Sequence, residues 1–299
     1  MSDQSRPGSD AAAEFGWLRA HRYLLLRRVT QLLILLLFLL GPWFGVWIIK
    51  GNLSSSLVLD TLPLTDPFVL AQSAFAGHPL ATTAVIGALI VAGFYFLVGG
   101  RVFCAWVCPV NVVTDTAGWL RTRAGVKGGV PISRKTRYWM LAMTLVLATL
   151  TGGLAWELVN PVSLTHRAII FGGGFAWVVI AAVFLFDLFV SRRGWCGHLC
   201  PMGAFYSLLG TLSPLRISAT RRNACNDCGD CFIVCPEPQV ITPALRGGAK
   251  HPSPIITEAN CTNCGRCIDV CAPRVFEFDL RWRAARNTDS GQEVSPATR

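Results

Sequence analysis

The chain has 299 residues, of which 52% are hydrophobic and only 15% are charged, and its formal net charge is +10. Soluble domains carry about 25% charged residues, so the composition argues against an ordinary soluble domain and favours a membrane protein. The basic residues lie near the ends of apolar runs and form no isolated patch. Nothing in the charge therefore supports nucleic-acid binding.

Four charge-poor apolar runs follow one another in the first two thirds of the chain. Each is close to the roughly 20 residues that an α-helix needs to cross a bilayer. They predict spanning helices at about Val29–Ile49, Leu80–Val98, Tyr138–Trp156 and Ala168–Val190. The first run is longer than the apolar part of a signal peptide, so we expect a retained anchor after a short N-terminal segment.

The stretch from Leu53 to Phe75 is also fairly apolar, but it contains two aspartates and two prolines. Because these residues interrupt a spanning helix, the stretch is predicted to be an external loop or a surface segment.

Lys and Arg concentrate before the first run, between the second and third, and after the fourth, whereas the other two loops hold only Lys50 and Arg167. By the positive-inside rule, the N-terminus and the C-terminal part face the cytoplasm.

A short cysteine motif occurs twice, at the inner ends of the second and fourth predicted spans. The pairs are Cys104 with Cys108 and Cys196 with Cys200; a proline follows each pair, and a basic and an aromatic residue precede it. The moderately apolar stretch after each proline (residues 110–120 and 202–212) predicts an amphipathic helix along the membrane surface.

This duplication predicts that the membrane part consists of two repeated hairpins of two spans each. The Cys-x3-Cys spacing places both thiols of a motif on one face of a helix. If the hairpins pack symmetrically, the four thiols converge at the inner surface, as a third metal site or a dithiol relay. The alternative is four unligated cysteines that pack as small apolar side chains.

Eight further cysteines form two runs with identical spacing near the C-terminus. Each reads Cys-x2-Cys-x2-Cys-x3-Cys, the spacing of bacterial ferredoxins with two [4Fe–4S] clusters, in which the last thiolate of each run ligates the other cluster. Disulfides or zinc would also use cysteines, but neither explains two identical runs of this kind. The predicted ligands are Cys225, Cys228, Cys231 and Cys271 for cluster 1, and Cys261, Cys264, Cys267 and Cys235 for cluster 2.

These features predict an α-helical integral membrane protein, with four transmembrane helices as two repeated hairpins, followed by a C-terminal α+β two-cluster ferredoxin-like domain. The predicted divisions are a cytoplasmic segment (residues 1–28), the membrane domain (29–216), the ferredoxin-type domain (217–280) and a polar tail (281–299). We expect the tail to be disordered because it has little to bury.

The order of these features resembles the NapH family of ferredoxin-type proteins, over nearly the whole chain. The resemblance rests on two Cys-x3-Cys-Pro motifs at helix ends followed by two ferredoxin runs. It implies the membrane electron-transfer subunit of a quinol dehydrogenase in a bacterial inner membrane, which is not a catalyst by itself. It also implies a periplasmic NapG-like ferredoxin as partner and, beyond it, a diheme cytochrome and a molybdenum nitrate reductase.

Two related groups share the motifs. NosR-type regulators add a large periplasmic flavin-binding domain, for which the first external loop here is too short. FixG/CcoG-type proteins of copper oxidase assembly usually add a C-terminal domain. Size therefore favours the NapH-like interpretation, and copper reduction or redox sensing stays as the alternative.

Quinol oxidation needs an apolar slot at the membrane edge and a nearby proton acceptor. On the predicted outer side, Glu157 follows the third span and His166 lies at the start of the fourth. Both are candidates for quinol proton transfer, although residues in such places are more often interfacial anchors. The sequence does not identify the catalytic group further.

Overall fold

The structure is a computed structural model that describes residues 7–126, 128–247 and 253–282. The first half of the chain contains α1 (Ser9–Phe15), α2 (Trp17–Ala20), α3 (Arg22–Phe44), α4 (Pro67–Phe75), α5 (Thr82–Val98), α6 (Val102–Trp106) and α7 (Val110–Arg123). The second half contains α8 (Thr136–Thr151), α9 (Pro161–Phe171), α10 (Gly174–Leu185), α11 (Pro201–Leu209), α12 (Asp230–Val234), α13 (Ile241–Arg246) and α14 (Arg266–Asp269). The strands are β1 (Ile49–Gly51), β2 (Ser55–Val58), β3 (Leu62–Thr65), β4 (Leu215–Ser218) and β5 (Glu277–Leu280). From residue 283 onward, the predicted disordered tail lies outside the described residues.

Helix α3 is the one helix among the described residues that is long and apolar enough to cross a membrane. Its first-turn amides are capped from a distant part of the chain. The Asp269 carboxylate accepts hydrogen bonds from the backbone N–H groups of Tyr23 (3.1 Å) and Leu24 (3.0 Å). These donors have no partner within the helix, so the cap ties the base of α3 to the C-terminal part.

The other predicted spans are shorter than expected. Helix α5 has 17 residues and α8 has 16, and α10 continues through a π-helical turn only to Val190. Glycines in the left-handed conformation set two of the boundaries, because such a φ ends an α-helix at little steric cost. Gly152 (φ 61°) ends α8, and Gly172 (φ 70°) separates α9 from α10. The prediction of one continuous helix over 168–190 was therefore wrong.

The stretch predicted as an external loop or surface segment is exposed or half-buried in its first part and buried in its second. Strands β1, β2 and β3 form an antiparallel sheet, and β3 lies along α5, where a Cβ on Gly87 would come 3.0 Å from the Pro63 carbonyl oxygen. Helix α4 follows directly, and its Phe68 and Gln72 are fully buried. The first half of the stretch is therefore a surface segment, as predicted, with Asp60 exposed, and the chain turns inward from Thr65 to Gln72.

Both cysteine motifs break a helix. Helix α6 ends before Cys108, and Cys196 lies in a single π-helical turn that ends before Cys200. The prediction that both thiols of a motif lie on one face of a helix was therefore wrong. The helices predicted after the prolines are present as α7 and α11, but most of α11 is buried, so it does not lie along a surface.

The C-terminal part is a small α+β unit, as the sequence predicts. Strands β4 and β5 pair antiparallel from Leu215↔Leu280 to Ser218↔Glu277. Helices α12 and α14 each follow a glycine with positive φ, Gly229 (84°) and Gly265 (73°). These glycines allow each cysteine loop to turn sharply before its helix begins.

A close backbone crossing joins the two repeats. A Cβ on Gly100 would clash with the carbonyl oxygen of Tyr206 and would come 2.6 Å from the backbone nitrogen of Gly210. We expect Gly100→Ala to destabilise the protein by about 1–3 kcal/mol, because backbone on both sides cannot yield cheaply. Thermal unfolding in detergent measures the change. Gly118→Ala is the control: its Cβ meets nothing within 4 Å, so it should be neutral or slightly stabilising. Equal unfolding temperatures for the two variants would contradict the crossing.

Candidate iron–sulfur site

The first group of thiols surrounds one enclosed space. Two come from the loop that leads into α12, the third from the first turn of α12, and the fourth from after α14. We call this group cage 1: Cys225, Cys228, Cys231 and Cys271. Apolar side chains complete its wall, including Phe232, Leu245, Val275 and Phe276. Burial raises the pKa of the Cys231 thiol to about 12, and the neighbouring charges of Cys271, Cys228 and Cys225 add to the effect.

The second group, cage 2, has the reciprocal composition: Cys261, Cys264, Cys267 and Cys235. Burial raises the pKa of Cys267 well above its ordinary value, and the nearby charges of Cys264, Cys235, Cys261 and then Cys231 act in the same direction. Cys231 belongs to cage 1, so the two cages are neighbours. Among the described residues, no three ligating side chains enclose a site for a single metal ion, whereas the four thiols of cage 1 line one larger space.

Cys264 has an electrostatic environment unlike those of the other cysteines. Burial alone would raise its pKa, but the charges of Arg27 and Arg266 outweigh burial and lower it. Arg27 is fully buried, and its two terminal nitrogens have no hydrogen-bond partner among the described residues. An unpaired buried guanidinium beside a thiolate is costly alone but suits an anionic thiolate-ligated cluster. The residues of both cages therefore fit [4Fe–4S] clusters, which supply one-electron carriers when bound.

A third group of thiols, the four-thiol site, comes from the two Cys-x3-Cys-Pro motifs. Cys108 is buried in a core cluster, with Cys104 and Cys200 packed against it. Burial raises the pKa of Cys196 well above its ordinary value, and the neighbouring charges of Asp187 and of the other three thiols add to this. The two repeats therefore bring all four cysteines together. Cys104 and Cys196 also share an enclosed space with Cys264 of cage 2.

A buried carboxylate joins the ferredoxin-type part to both repeats. Glu237, which follows cage ligand Cys235 by two residues, is only 2% exposed. Its carboxylate contacts Arg101 of the first repeat at 2.9 Å, and Arg134 and Arg137 of the second repeat at 2.8 and 3.4 Å. Burial alone would lower the pKa of Arg101. The charge of Glu237 more than compensates, so the pKa of Arg101 is raised.

Asp115 on α7 makes a second charged junction. It pairs with Arg28 at the base of α3 (2.5 Å), with Arg193 (3.1 Å) and with Arg266 beside cage 2. Burial alone would raise the pKa of Asp115, but Arg266 and Arg193 hold it well below its ordinary value. The sequence interpretation counted Arg28 and Arg193 as topology markers and gave Arg266 no role, and it missed both partner carboxylates.

A neutral clamp holds the cage 2 loop against the end of α5. The Asn263 side-chain amide donates to the carbonyl oxygens of Val98 (3.0 Å) and Leu215 (2.9 Å). The Trp106 indole donates to the Asn263 carbonyl oxygen at 3.1 Å. Cage 2 is thus fixed directly against the helical part.

The two proton-transfer candidates do not lie in one site. The Glu157 carboxylate accepts hydrogen bonds from Asn160 (2.8 Å), Ser163 (2.7 Å) and Ser54 (3.2 Å). His166 is buried, and its ring packs edge-on against Phe38 of α3. Among the described residues, no hydrogen bond or ion pair links Glu157 to His166.

Two family models match the chain. A 4Fe-4S binding domain matches twice, over residues 80–127 and 173–219, so each match contains one Cys-x3-Cys-Pro motif. A 4Fe-4S dicluster domain matches residues 224–275, which contain both cages. The double match is the internal duplication that the sequence predicts.

Curated relatives cover almost the whole chain. The methylamine utilization ferredoxin-type protein MauN of Paracoccus denitrificans is 55% identical over 91% of this chain and 95% of its own length. The ferredoxin-type protein NapH of Escherichia coli is 50% identical over 94% and 98%. The putative electron transport protein YccM of Escherichia coli is 25% identical over 94% and 82%. No solved structure matches. The chain belongs to the NapH/MauN family of ferredoxin-type proteins and is an iron–sulfur electron-transfer protein.

Proposed function

We propose that the chain is the membrane-bound iron–sulfur subunit of a quinol dehydrogenase, which passes electrons from the quinol pool toward a periplasmic acceptor. We further propose that it spans the bacterial inner membrane four times, with the N-terminus and the ferredoxin-type part in the cytoplasm. Large apolar side chains are exposed on the helices, among them Leu89 of α5, Leu150 of α8 and Val178 of α10. Such a surface suits lipid and not water.

The observation that carries the proposal is a groove of about 570 Å³ where the helical part meets the cages. We call it the junction groove; its walls come mainly from the base of α3, from α7 and from α12 and α14, the short helices that follow the cysteine loops. Val234 and Val270 line it, and each is bonded to a cage ligand, Cys235 and Cys271. A ring in the groove would therefore lie on the order of 10 Å from the cages. This volume is typical of small-molecule sites.

A charged and a polar residue of the groove suit a quinol beside the cages. Arg27 lines both the junction groove and the enclosed space beside Cys264, and its fully buried side chain places a positive charge between the groove and cage 2. The His21 ring also lines the groove, and its Nδ1 lies 2.9 Å from the Trp17 carbonyl oxygen. A carbonyl only accepts, so in the neutral ring Nδ1 carries the proton and Nε2 is left to accept one.

In this proposal the quinol loses two electrons and two protons and becomes a quinone. The cysteines of the two cages would hold clusters that can each accept one electron. His21 receives the first proton at Nε2, and the second leaves to water at the groove mouth. Neither Glu157 nor His166 lines the junction groove, so the proposal assigns proton transfer to His21 in place of these two.

For partners we propose a periplasmic NapG-like ferredoxin and, through it, a diheme cytochrome and a molybdenum nitrate reductase. A second destination is a methylamine-utilising system, because MauN proteins are at least as similar to the chain as NapH proteins are. Co-purification with each candidate ferredoxin, followed by electron transfer from quinol to it, separates the two destinations.

The test fills the groove without touching a cage ligand. Gly118 lines the junction groove from α7, and a Cβ there meets no atom within 4 Å. We expect Gly118→Phe to weaken quinol binding by roughly tenfold or more, a loss of about 1.4 kcal/mol. Anaerobic stopped-flow reduction of the clusters by a short-chain quinol measures this, with dithionite reduction as the check that both clusters are present.

Gly93→Phe is the matched control, because Gly93 is an exposed helical glycine of α5 with equally open space around it. It should reduce like the wild type. Equal reduction rates in Gly118→Phe and wild type would remove the groove from the proposal. Clusters that no quinol reduces in the wild type would sink the quinol function itself and favour copper reduction or redox sensing.

A further inference from the structure

The four-thiol site lies where the two repeats meet, and each repeat supplies the same parts to it. In chain order the first repeat contains α3, α4, α5 and a cysteine motif, and the second contains α8, α9, α10 and a cysteine motif. Each motif gives one cysteine in a helical turn and one just beyond the end of that turn. Thiols from two symmetric elements thus face one another in the interior.

The local geometry of the motif is also found at a cage ligand. Cys231 and Cys235 are spaced Cys-x3-Cys-Pro as well. Cys235 leaves its helical turn in an extended conformation (φ −69°, ψ 132°), and Cys200 does the same (φ −65°, ψ 114°). The chain therefore repeats, in the helical part, a backbone form that presents cluster ligands in the ferredoxin-type part.

Two short helices begin in the core cluster that contains Cys108. Asp66 caps α4 by accepting from the Phe68 N–H (2.9 Å), and Asn160 caps α9 by accepting from the Val162 N–H (3.1 Å). In both helices the next residue is a proline. Phe68 and Val162 pack in the same core cluster as Cys108. One capped helix from each repeat therefore begins in the same core as Cys108, which matches the symmetric construction of the site.

Fixed hydrogen-bond donors hold the motif backbones in place. Buried Gln31 of α3 donates to the carbonyl oxygens of Ala105 (3.1 Å) and Cys108 (3.3 Å). Buried Arg101 donates to the Cys196 carbonyl oxygen (3.1 Å). Burial raises the pKa of Cys104, and the nearby charge of Arg101 opposes part of this rise. Four ligand-type thiols in a desolvated space, with a buried cation beside them, form an arrangement that a metal centre completes.

We propose that Cys104, Cys108, Cys196 and Cys200 hold a third iron–sulfur centre, a [4Fe–4S] cluster with two ligands from each repeat. Each pair lies inside one of the two ranges matched by the 4Fe-4S binding domain. Cys104 and Cys196 share an enclosed space with Cys264, so the centre lies next to cage 2 on the side of the helices. It extends the proposed electron path from the cages into the membrane part, toward the periplasmic acceptor.

Metal content tests the proposal on the full chain, purified anaerobically in detergent. We expect about twelve iron atoms and a matching amount of acid-labile sulfide per chain, since three cubanes carry four irons each. Cys104→Ser with Cys196→Ser should remove about four irons and leave the EPR signals of the two cages. The control is Thr114→Val: Thr114 Oγ1 lies 3.9 Å from Cys196 Sγ, and the substitution removes no thiol.

A wild-type content of about eight irons would overturn the proposal by itself. This outcome does not depend on whether the double variant folds. Copper or zinc at the site, measured in the same digest, would also overturn it. The result is independent of the quinol reaction, because an iron count does not depend on whether quinol reduces the protein. Twelve irons with no reduction by quinol would keep the third centre and reject only the quinol function.

Discussion

Glu237→Gln should destabilise the protein by about 3–5 kcal/mol, the cost of leaving buried charges without their partner. Arg101 and Arg137 are 3% and 0% exposed, so water cannot replace the lost carboxylate at either side chain. Arg134 is partly exposed and can turn to solvent, so the penalty comes mainly from the other two. Since Glu237 joins both repeats to the segment after Cys235, the damage should include loosened docking of the ferredoxin-type part.

The measurement is thermal unfolding in detergent, followed by the loss of iron–sulfur absorbance and by protein fluorescence. Limited proteolysis at the junction gives an independent reading of docking. Glu258→Gln is the matched control, because Glu258 is exposed and its side chain takes part in no ion pair among the described residues. If Glu237→Gln unfolds at the wild-type temperature, the buried carboxylate does not hold the parts together.

The sequence was most informative where ligation depends on local spacing. The two ferredoxin runs predicted the four cysteines that line the cage 1 space, because cluster loops curl three thiols around one centre over a few residues. Gly229 and Gly265 sit at matching places in those loops with the positive φ that the turn requires. No long-range packing information was needed for this prediction.

Apolar runs located the helices of the first two thirds but not their ends. The run that suggested a helix over 168–190 contains Gly172 and Gly173, and composition alone does not say whether a glycine breaks a helix or packs against another. Asp66 and Asn160 each precede a proline and looked like loop residues. The same two-residue pattern begins a helix, and only tertiary packing reveals that both of these helices are buried.

The charged junctions could not be predicted from the sequence, because the residues that pair in them are far apart along the chain. Glu237 is 136 residues from Arg101, and Arg266 is 151 residues from Asp115. Cationic residues at helix ends carry a topological signal, which explains why Arg101 was interpreted in that way. The same arginines also neutralise carboxylates at the seam between the repeats and the cages, and a count of charges per loop cannot distinguish the two roles.

Cys225→Ser combined with Cys271→Ser should remove one cluster, whereas Cys225→Ser combined with Cys235→Ser should remove both clusters of the ferredoxin-type part. Cage 1 contains Cys225 and Cys271, so the first pair of substitutions damages one centre twice. The second pair damages one ligand in each cage. Burial raises the pKa of Cys235, and the nearby charges of Cys264 and Cys261 add to it, which places Cys235 in cage 2.

Iron analysis with EPR spin counting separates the two arrangements by difference from the wild type. Crossed ligation predicts a loss of about four irons for the first double variant and about eight for the second. Runs that each ligated their own cluster would give the reverse order, because Cys225 and Cys235 would then share a centre. Each double variant removes two thiols and includes the same Cys225 substitution, so each serves as the control for the other. The order of the two losses therefore decides between the arrangements even if partial cluster loss lowers both counts.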